Sequence, residues 1–594
     1  MSDPLSESRS DSRPDQKSDP IGDNHPVETS NVRDGNIASR LSLVARVMPS
    51  AIAIAQPQSG AGKSDYAVLT FEQLDRQSDI IAAGLIERGV GPGRRMVMLV
   101  PFSAEFIKLT FAVLKTGATI GLIDPGIDRR HLIDCLSDLR PDGFVAIPKA
   151  QWIRRLLRQR FPSAKLNVAV GPRWCLAGPN LGDVVRDGAA ILSRDRYEPP
   201  TIQRSDPAAV IFTTGSTGPP KGVLYTHGTF HAQVDRIKQR YDIHRGSRDL
   251  ACFPLFGLFD AVMGVTTVIP DMDPTRPADV DPRRLIEAAE QWDVDQAFGS
   301  PALWKTVVRW ADENGIADSI RRDGTADRPL GSLRRVLSAG APVPAETLAK
   351  LRLLIHPDAH IHTPYGATEA LPIASIESRQ IIRETGPAAA KGKGVCVGQR
   401  FEGARWRVIE ISDDPIERID QSNEMPRGKI GELIVSGPMV TRRYVVRTDQ
   451  NAYHKIDDDG VVWHRMGDVG YLDDDDRFWF CGRKNHRVVC GDKTWFTIPC
   501  EAIFNADAEV NRSALVGLGS RGAQRPVVVI EPVADGVRTS KRDAELIERL
   551  TGLARRNPRT ARLDDVRVWN GPLPVDIRHN SKIFRERIAA ELTD

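Results

Sequence analysis

Residues 208–222, AAVIFTTGSTGPPKG, run from an apolar segment into a loop of hydroxyl side chains and glycines. The apolar segment predicts a buried strand, and the loop starts where that strand ends. Glycine lets the backbone approach an anion and turn its N–H groups toward it, while hydroxyls and a lysine supply further donors. We therefore predict a phosphate-binding loop with these candidate residues: Thr213, Thr214, Gly215, Ser216, Thr217, Gly218 and Lys221.

The loop departs from the nucleotide-binding pattern G-x-x-x-x-G-K-[ST], because Lys221 stands three residues after Gly218 and Gly222 comes next. The alternative interpretation is a flexible surface loop of small residues. Two hydroxyl–glycine pairs and a Pro-Lys-Gly end, directly after an apolar strand, favour the phosphate loop.

Around this loop, apolar strands alternate with amphipathic helices. Residues 94–101 and 142–148 predict buried strands, and residues 104–117 predict a helix that ends at a glycine. This alternation predicts an α/β fold with parallel and mixed sheets and with ligand loops at the strand ends. Short strands with polar turns in 457–490 predict a small antiparallel subdomain, and the chain after 490 predicts a small α+β domain.

We predict three parts of the chain from these changes in composition. Residues 1–36 are rich in Ser, Asp, Asn and Pro and poor in large apolar residues, which predicts a disordered tail. Residues 37–483 form the large N-terminal domain. Residues 484–594 form a small mobile C-terminal lid domain.

The overall composition excludes several classes of protein. With 81 Lys+Arg against 78 Asp+Glu, the net charge of +3 argues against nucleic-acid binding through bulk charge. The seven cysteines are widely spaced without C-x-x-C, which argues against a disulfide framework or a cysteine-rich zinc site. The sequence also lacks an apolar run of about 18 residues and a secretory signal. We expect a cytoplasmic protein with no transmembrane segment and no nucleic-acid partner.

The loop resembles the phosphate-loop signature of the adenylate-forming superfamily, which comprises acyl-CoA synthetases, luciferases and nonribosomal adenylation domains. Further motifs that resemble this family follow in the family's order: SAGAP (338–342), TPYGATEA (363–370), GDVGYLD (467–473), GRK (482–484) and HNSKIFRE (579–586). The resemblance covers roughly residues 37–594 and implies ATP and Mg²⁺ as cofactors.

The resemblance also implies the roles of individual residues. The nucleotide contacts that it implies in two of the loops are Gly340, Ala341, Pro342 and Gly366, with Tyr365 stacking on adenine.

Five further residues have implied roles in binding and catalysis. Thr368 is expected to contact phosphate, and Glu369 is expected to hold the magnesium ion, since Mg²⁺ prefers hard oxygen ligands beside phosphates. Asp468 matches the carboxylate that binds the ribose hydroxyls, and Arg483 matches the arginine that follows it. Lys582 matches the catalytic lysine that bridges the acyl carboxylate and the α-phosphate.

Within this family, residues 109–127, 253–282, 298–304 and 574–586 resemble the β-lactone synthetase branch of bacterial long-chain olefin biosynthesis. That resemblance implies ATP-dependent activation of a long-chain 2-alkyl-3-hydroxy fatty acid as acyl-AMP. The 3-hydroxyl of the acid then displaces AMP and closes a β-lactone. It also implies a multienzyme assembly with a thiolase-like enzyme, a dehydrogenase and an α/β-hydrolase-type enzyme.

Two alternatives stay open: a medium- or long-chain fatty acyl-CoA synthetase, and a non-catalytic nucleotide-binding or scaffold protein. Gly257 stands where CoA-forming members usually carry histidine, and Asn485 stands where the hinge commonly has Asp or Lys. These departures favour lactone formation, because an intramolecular acceptor needs no CoA. Phe253, Phe256 and Phe259 fit an ordinary core and an acyl pocket equally well.

Overall fold

The computed structural model describes residues 35–58, 65–123, 129–172, 178–194, 199–213, 219–323, 327–533, 539–576 and 582–593. Within these residues the chain is built from two large sheets, an antiparallel sheet and a C-terminal α+β unit. This arrangement confirms the predicted α/β fold class. The limits of the domains stay a prediction, as does the mobility of the C-terminal unit.

The first large sheet has nine strands, parallel in its interior and antiparallel toward both edges. In spatial order its strands are Gln399–Arg400, Ala370–Glu377, His360–Ala367, Arg335–Ser338, Gln296–Gly299, Arg248–Ala251, Thr266–Val268, Ile52–Pro57 and Tyr66–Thr70.

The second large sheet has seven strands and carries the phosphate-loop candidate. Its strands are Tyr444–Val446, Gly222–Thr226, Pro207–Phe212, Thr119–Leu122, Arg95–Leu99, Gly143–Ala146 and Val168–Ala169. The first three are antiparallel to one another and the others are parallel. The antiparallel pair on either side of the loop therefore brings its two ends together.

The predicted helix at 104–117 is confirmed as Ala104–Lys115, and its ends, like those of other helices, carry residues typical of helix caps. Thr70 and Gln73 form a capping box at the start of Phe71–Glu87, and Ser103 caps Ala104–Lys115. Gly117, in the left-handed region with φ +74°, follows the second helix and ends it. The other helices of eight or more residues before the antiparallel sheet are Ser39–Val47, Arg129–Asp138, Pro148–Leu156, Leu181–Leu192, His227–Tyr241, Pro254–Met263, Pro282–Gln291, Pro301–Glu313, Ile316–Asp323 and Ala345–Leu354.

The predicted antiparallel region is a six-stranded sheet. Its strands are Val395–Cys396, Phe478–Arg483, Val461–Leu472, Gly431–Ser436 and Arg405–Ile409, with Lys455–Asp458 paired to Val461–Leu472. The C-terminal unit has the hairpin Val488–Cys490 and Lys493–Trp495, the strands Val510–Leu518, Arg525–Pro532 and Val566–Val568, and the helices Thr497–Phe504, Ser540–Arg555 and Arg585–Glu591.

The start of the folded part lies slightly earlier than the sequence predicts. Gly35 N–H donates to Ile202 O at 2.8 Å, and the Asn36 amide donates to Leu114 O at 2.8 Å. Asn36 is only 3% exposed. The last two residues of the predicted tail thus pack on the large part, because their polar groups bond to its backbone. Residues 1–34 lie outside the described part of the chain.

No helix in the described ranges has both the length and the apolar character needed to cross a membrane.

Candidate active site

The two ends of the phosphate-loop candidate are tied to each other. Thr213 N–H donates to Lys221 O at 3.0 Å, and Lys221 N–H donates to Thr213 Oγ1 at 3.2 Å. The flanking strands place Phe212 opposite Gly222. Thr214, Gly215, Ser216, Thr217 and Gly218 lie outside the described residues, so their phosphate contacts stay a prediction.

A third strand packs closely against the end of this loop. A Cβ on Gly222 would lie 2.8 Å from Val446 Cβ, so a side chain at 222 would push the strand Tyr444–Val446 away. The ring of Tyr444 therefore reaches the loop, with Lys221 Nζ 5.4 Å from its centroid. Lys221 Nζ also lies 3.3 Å from His454 Nε2. Burial and the charge of Lys221 lower the pKa of His454 to about 3, which leaves its ring neutral and able to accept from the lysine.

Thr368 and Glu369 form the turn between the antiparallel strands His360–Ala367 and Ala370–Glu377. Tyr225 O–H donates to Thr368 O, and Thr441 donates to Glu369 O through both N–H and Oγ1 at 2.9 Å. These bonds fix the backbone of the turn from two sides.

The Glu369 carboxylate is buried and held by a tyrosine that the sequence motifs do not predict. Tyr444 O–H donates to Glu369 Oε1 at 2.6 Å. Burial and the negative charge of Glu369 raise the pKa of Tyr444, so its hydroxyl keeps its proton and remains a donor. The bond fixes the orientation of the carboxylate.

Lys455 is the second residue that the motifs miss. Its Nζ donates to Thr441 O at 2.5 Å and lies 5.5 Å from the centroid of the Tyr444 ring. Burial lowers the pKa of Lys455 to about 7; the carboxylate of Glu369 opposes this effect and the charge of Lys221 adds to it. Nothing in the local sequence marks Tyr444 or Lys455, because only the pairing of distant strands brings them to Glu369.

Asp468 and Arg483 stand opposite each other on adjacent strands of the antiparallel sheet. Arg483 Nη1 lies 2.5 Å from Asp468 Oδ1, and the Tyr365 hydroxyl donates to Asp468 Oδ2. The carboxylate of Asp468 raises the pKa of Arg483, and burial followed by the same charge raises the pKa of Tyr365. Both oxygens of Asp468 are thus engaged, and Tyr365 is anchored through its hydroxyl. Stacking of Tyr365 on adenine stays a prediction.

The other two candidate nucleotide loops meet at one end of the nine-stranded sheet. Gly340, Ala341 and Pro342 follow the strand Arg335–Ser338, which pairs in parallel with His360–Ala367. Gly340 has φ +99°, a conformation that favours glycine. A Cβ on Gly366 would lie 2.6 Å from Ala370 O, so the tight turn requires a glycine. This geometry brings the candidate adenine loop to the strand that carries Tyr365.

Lys582 belongs to the C-terminal unit, and the charge of Arg483 affects its pKa. Its backbone N–H donates to Asp576 Oδ1 at 2.7 Å. Burial lowers the pKa of Lys582, and the positive charge of Arg483 lowers it further. Lys582 therefore lies within electrostatic reach of Arg483, and its role at the site stays a prediction.

Phe256 is the centre of an aromatic cluster. Phe256 stacks on Phe298 with ring centroids 4.1 Å apart. The ring centroid of Phe253 lies 5.4 Å from that of Phe298, and the ring centroid of Phe259 lies 6.0 Å from that of Phe256. Phe256 is buried, whereas Phe253 and Phe259 are half-buried. A buried ring flanked by two partly exposed rings is compatible with a core position and with a pocket wall.

Gly257 lies in the same helix and is tightly surrounded. A Cβ there would lie 3.1 Å from Thr267 Cγ2, 3.2 Å from Phe102 Cζ and 3.3 Å from Ile107 Cδ1. A histidine at this position would therefore require its neighbours to move.

Two buried carboxyl groups lie at this helix: Asp260 belongs to it, and Asp249 belongs to the strand Arg248–Ala251. The carboxyl groups of Asp249 and Asp260 interact with each other, and Thr267 Oγ1 donates to Asp260 Oδ2 at 3.3 Å. Burial raises the pKa of both groups, and the neighbouring charge of Asp249 raises the pKa of Asp260 further. The pair therefore keeps protons at a pH where an ordinary carboxyl group has lost them.

The donor set at Glu369 fits a magnesium ion that is bound mainly through phosphate oxygens and water. In the described ranges no three His, Cys, Asp or Glu side chains come together as a metal site. A single buried carboxylate beside the phosphate loop matches an ion that arrives with a nucleotide rather than one held by the protein alone.

Comparisons with known proteins agree with this geometry. The profile of the family described as AMP-binding enzyme matches residues 43–445. The chain is 43% identical to an olefin beta-lactone synthetase of Xanthomonas campestris, over 93% of this chain and 97% of that protein. It is 42% identical to an olefin beta-lactone synthetase of Stenotrophomonas maltophilia, over 94% of this chain and 98% of that protein.

Solved structures show the same fold at low sequence identity. The amide bond synthetase McbA from Marinactinospora thermotolerans superposes with a TM-score of 0.72 at 21% identity, covering 94% of this chain and 100% of that one. ATP-bound MatB from Rhodopseudomonas palustris superposes with a TM-score of 0.72 at 18% identity, covering 94% and 99%.

Proposed function

The chain belongs to the AMP-binding enzyme family, and from this we propose that it activates a long-chain 2-alkyl-3-hydroxy fatty acid with ATP and closes it to a β-lactone. The observation that carries the proposal is the 43% identity to an olefin beta-lactone synthetase over 93% of the chain. The close packing around Gly257 also supports it, because the histidine usual in CoA-forming members would require the neighbouring side chains to shift.

The first step joins the acid to AMP. A carboxylate oxygen of the acid attacks the α-phosphorus of ATP, the new acyl–O–P bond forms, and the bond to the β-phosphate breaks as pyrophosphate leaves. The nucleophile is already an anion, so the step needs no general base. The protein must instead offset the repulsion between two anions and hold them in line.

We assign these tasks to residues on both sides of the site. Lys582 carries the positive charge placed between carboxylate and α-phosphate, and Asp468 accepts from the ribose hydroxyls. Glu369, oriented by Tyr444, would hold Mg²⁺. The ion, when bound, neutralises phosphate charge. Lys221 adds a cation at the end of the phosphate loop.

In the second step the 3-hydroxyl oxygen attacks the acyl carbon. The acyl–O bond to phosphate breaks, AMP leaves with the bonding pair, and the hydroxyl proton is released to solvent. The product is a four-membered lactone. The aromatic cluster around Phe256 would then contact the alkyl chains, since apolar surface is what such chains bury favourably.

The proposal is tested by incubating the protein with ATP, Mg²⁺ and a 2-alkyl-3-hydroxy acid in the absence of CoA. We expect β-lactone, AMP and pyrophosphate. A matched acid that lacks the 3-hydroxyl should support ATP–pyrophosphate exchange but give no lactone. Strict dependence on CoA would identify a fatty acyl-CoA synthetase instead, and absence of any exchange would identify a non-catalytic nucleotide-binding protein.

The substrate chemistry also suggests pathway partners. A thiolase-like condensing enzyme and a dehydrogenase would supply the hydroxy acid, and an α/β-hydrolase-type enzyme would consume the lactone in one assembly. We place this assembly in the cytoplasm. The six cysteines among the described residues are free thiols, and five of them are buried, as in a reducing compartment.

A further inference from the structure

The helix Pro148–Leu156 buries a polar residue and exposes apolar ones. Its one buried residue is Gln151, at 3% exposure, whereas Trp152, Ile153 and Leu156 are 58%, 45% and 84% exposed. Large apolar side chains are otherwise exposed only singly among the described residues. Three on one nine-residue helix form a contiguous patch, and such patches mark interaction sites.

A polar anchor holds this helix to the molecule. Gln151 Nε2 donates to Phe144 O at 3.0 Å and to Val168 O at 2.9 Å, on the last two strands of the seven-stranded sheet. The apolar residues are therefore not needed to attach the helix. They are presented outward from a rigid sheet edge.

The patch lies in the most one-sided charge run of the chain. From residue 143 to residue 182 the sequence has no Asp or Glu, although the whole chain is nearly balanced at +3. The cations of this run are Lys149, Arg154, Arg155, Arg158, Arg160, Lys165 and Arg173. Burial lowers the pKa of Arg154, and the like charge of the adjacent Arg155 lowers it further. An anionic surface would relieve that repulsion.

We propose that the helix Pro148–Leu156 docks the protein on an anionic lipid surface. Trp152, Ile153 and Leu156 enter the boundary between head groups and acyl chains. The exposed cations beside them, Lys149, Arg155 and Arg158, contact lipid phosphates, whereas Arg160 is paired with Asp134. A tryptophan and aliphatic residues beside a basic face are the composition that interfacial helices share. Nucleic acid would match the cations and leave the exposed isoleucine and leucine unexplained.

Sedimentation with vesicles tests the proposal on the full chain. We expect binding to vesicles that contain phosphatidylglycerol, weak binding to pure phosphatidylcholine, and loss of binding as salt rises. Trp152→Ala with Leu156→Ala should lower the partition coefficient about tenfold. Arg155→Gln with Arg158→Gln should weaken binding and flatten its salt dependence.

Matched variants elsewhere on the surface serve as controls. Val461→Ala removes another exposed apolar side chain, and Arg309→Gln removes another exposed cation, so both should bind vesicles like the unaltered protein. ATP–pyrophosphate exchange without vesicles should be the same for all variants, which reports that each one is folded.

Quenching by brominated phosphatidylglycerol locates the contact. Trp152→Phe should keep most of the binding and lose part of the quenching, because the ring at 152 enters the bilayer. Equal partition of the unaltered protein and the double apolar variant would overturn the proposal. So would a loss of self-association or of nucleic-acid binding in these variants without any change in vesicle binding.

Discussion

The proposed nucleotide side of the site and its proposed acyl side, which is the aromatic cluster around Phe256, are built in different ways. On the nucleotide side the carboxylates Glu369 and Asp468 are each held by a hydroxyl or a guanidinium. On the acyl side Phe256 and its neighbours meet through ring contacts, with a protonated carboxyl pair behind them. Polar groups need directional partners when buried, whereas apolar walls need only shape. On the nucleotide side, the position of each carboxylate is therefore set by specific partners. On the acyl side, aromatic residues of other sizes could form the same kind of wall.

Lys582 links the two sides, and its removal should have the largest effect. Lys582→Ala should lower ATP–pyrophosphate exchange about a thousandfold or more, because the charge placed between the two anions is lost. Lys541→Ala, which removes an 88% exposed lysine from the same unit, should leave exchange unchanged. Undiminished exchange in Lys582→Ala with an unchanged melting curve would contradict the catalytic assignment.

Tyr444→Phe tests how far the nucleotide side depends on one hydroxyl. Loss of the bond to Glu369 should lower exchange about tenfold and raise the Mg²⁺ concentration needed for half-maximal rate. Tyr453→Phe, on an exposed ring, is the control. If the Mg²⁺ dependence stays the same while the protein is destabilised, Tyr444 has only a packing role.

Gly257→Val distinguishes the two interpretations of the acyl side. The added carbons collide with Thr267, Phe102 and Ile107. If this helix lines the pocket, activity with long acids should fall about tenfold relative to short ones. Gly552→Val, at a helical position with open space around it, controls for helix propensity. An equal loss for all chain lengths, together with a lower melting temperature, would identify a core position.

Asp260→Asn should have the smallest effect on activity, and its effect should be visible in stability against pH. Burial raises the pKa of the Asp249–Asp260 pair above its ordinary value of about 4. At a pH between the ordinary pKa and the raised pKa, the unfolded chain has lost protons that the folded chain keeps. The free energy of unfolding therefore falls as pH rises through this range.

The Asp260→Asn variant has one titratable proton fewer. As pH rises between the ordinary and the raised pKa, its free energy of unfolding should therefore increase relative to that of the unaltered protein by about 1.4 kcal/mol for each pH unit. Denaturant unfolding from pH 5 to pH 7 measures this difference, with Asp358→Asn, on an exposed side chain, as the control. Parallel curves for Asp260→Asn and the unaltered protein would show that the pair shares no proton.

Much of the fold follows from the sequence because strands, helices and caps depend on neighbouring residues. Thr70 and Ser103 cap their helices, and the apolar run before Thr213 is a strand. The sequence assigns Asn36 to the disordered tail, and this prediction is wrong. A small polar residue gives no local sign that its amide will bond to Leu114 O, 78 positions away.

The sequence by itself determined the family, the order of the motifs and the chemistry of each candidate group. Only the tertiary structure decided that Tyr444, 75 residues beyond Glu369, orients its carboxylate, and that His454 accepts from Lys221 across 233 residues. It also decided that Gln151 anchors a helix whose apolar face points outward. Motifs record short-range order along the chain, whereas these contacts depend on which distant strands pair and which faces they cover.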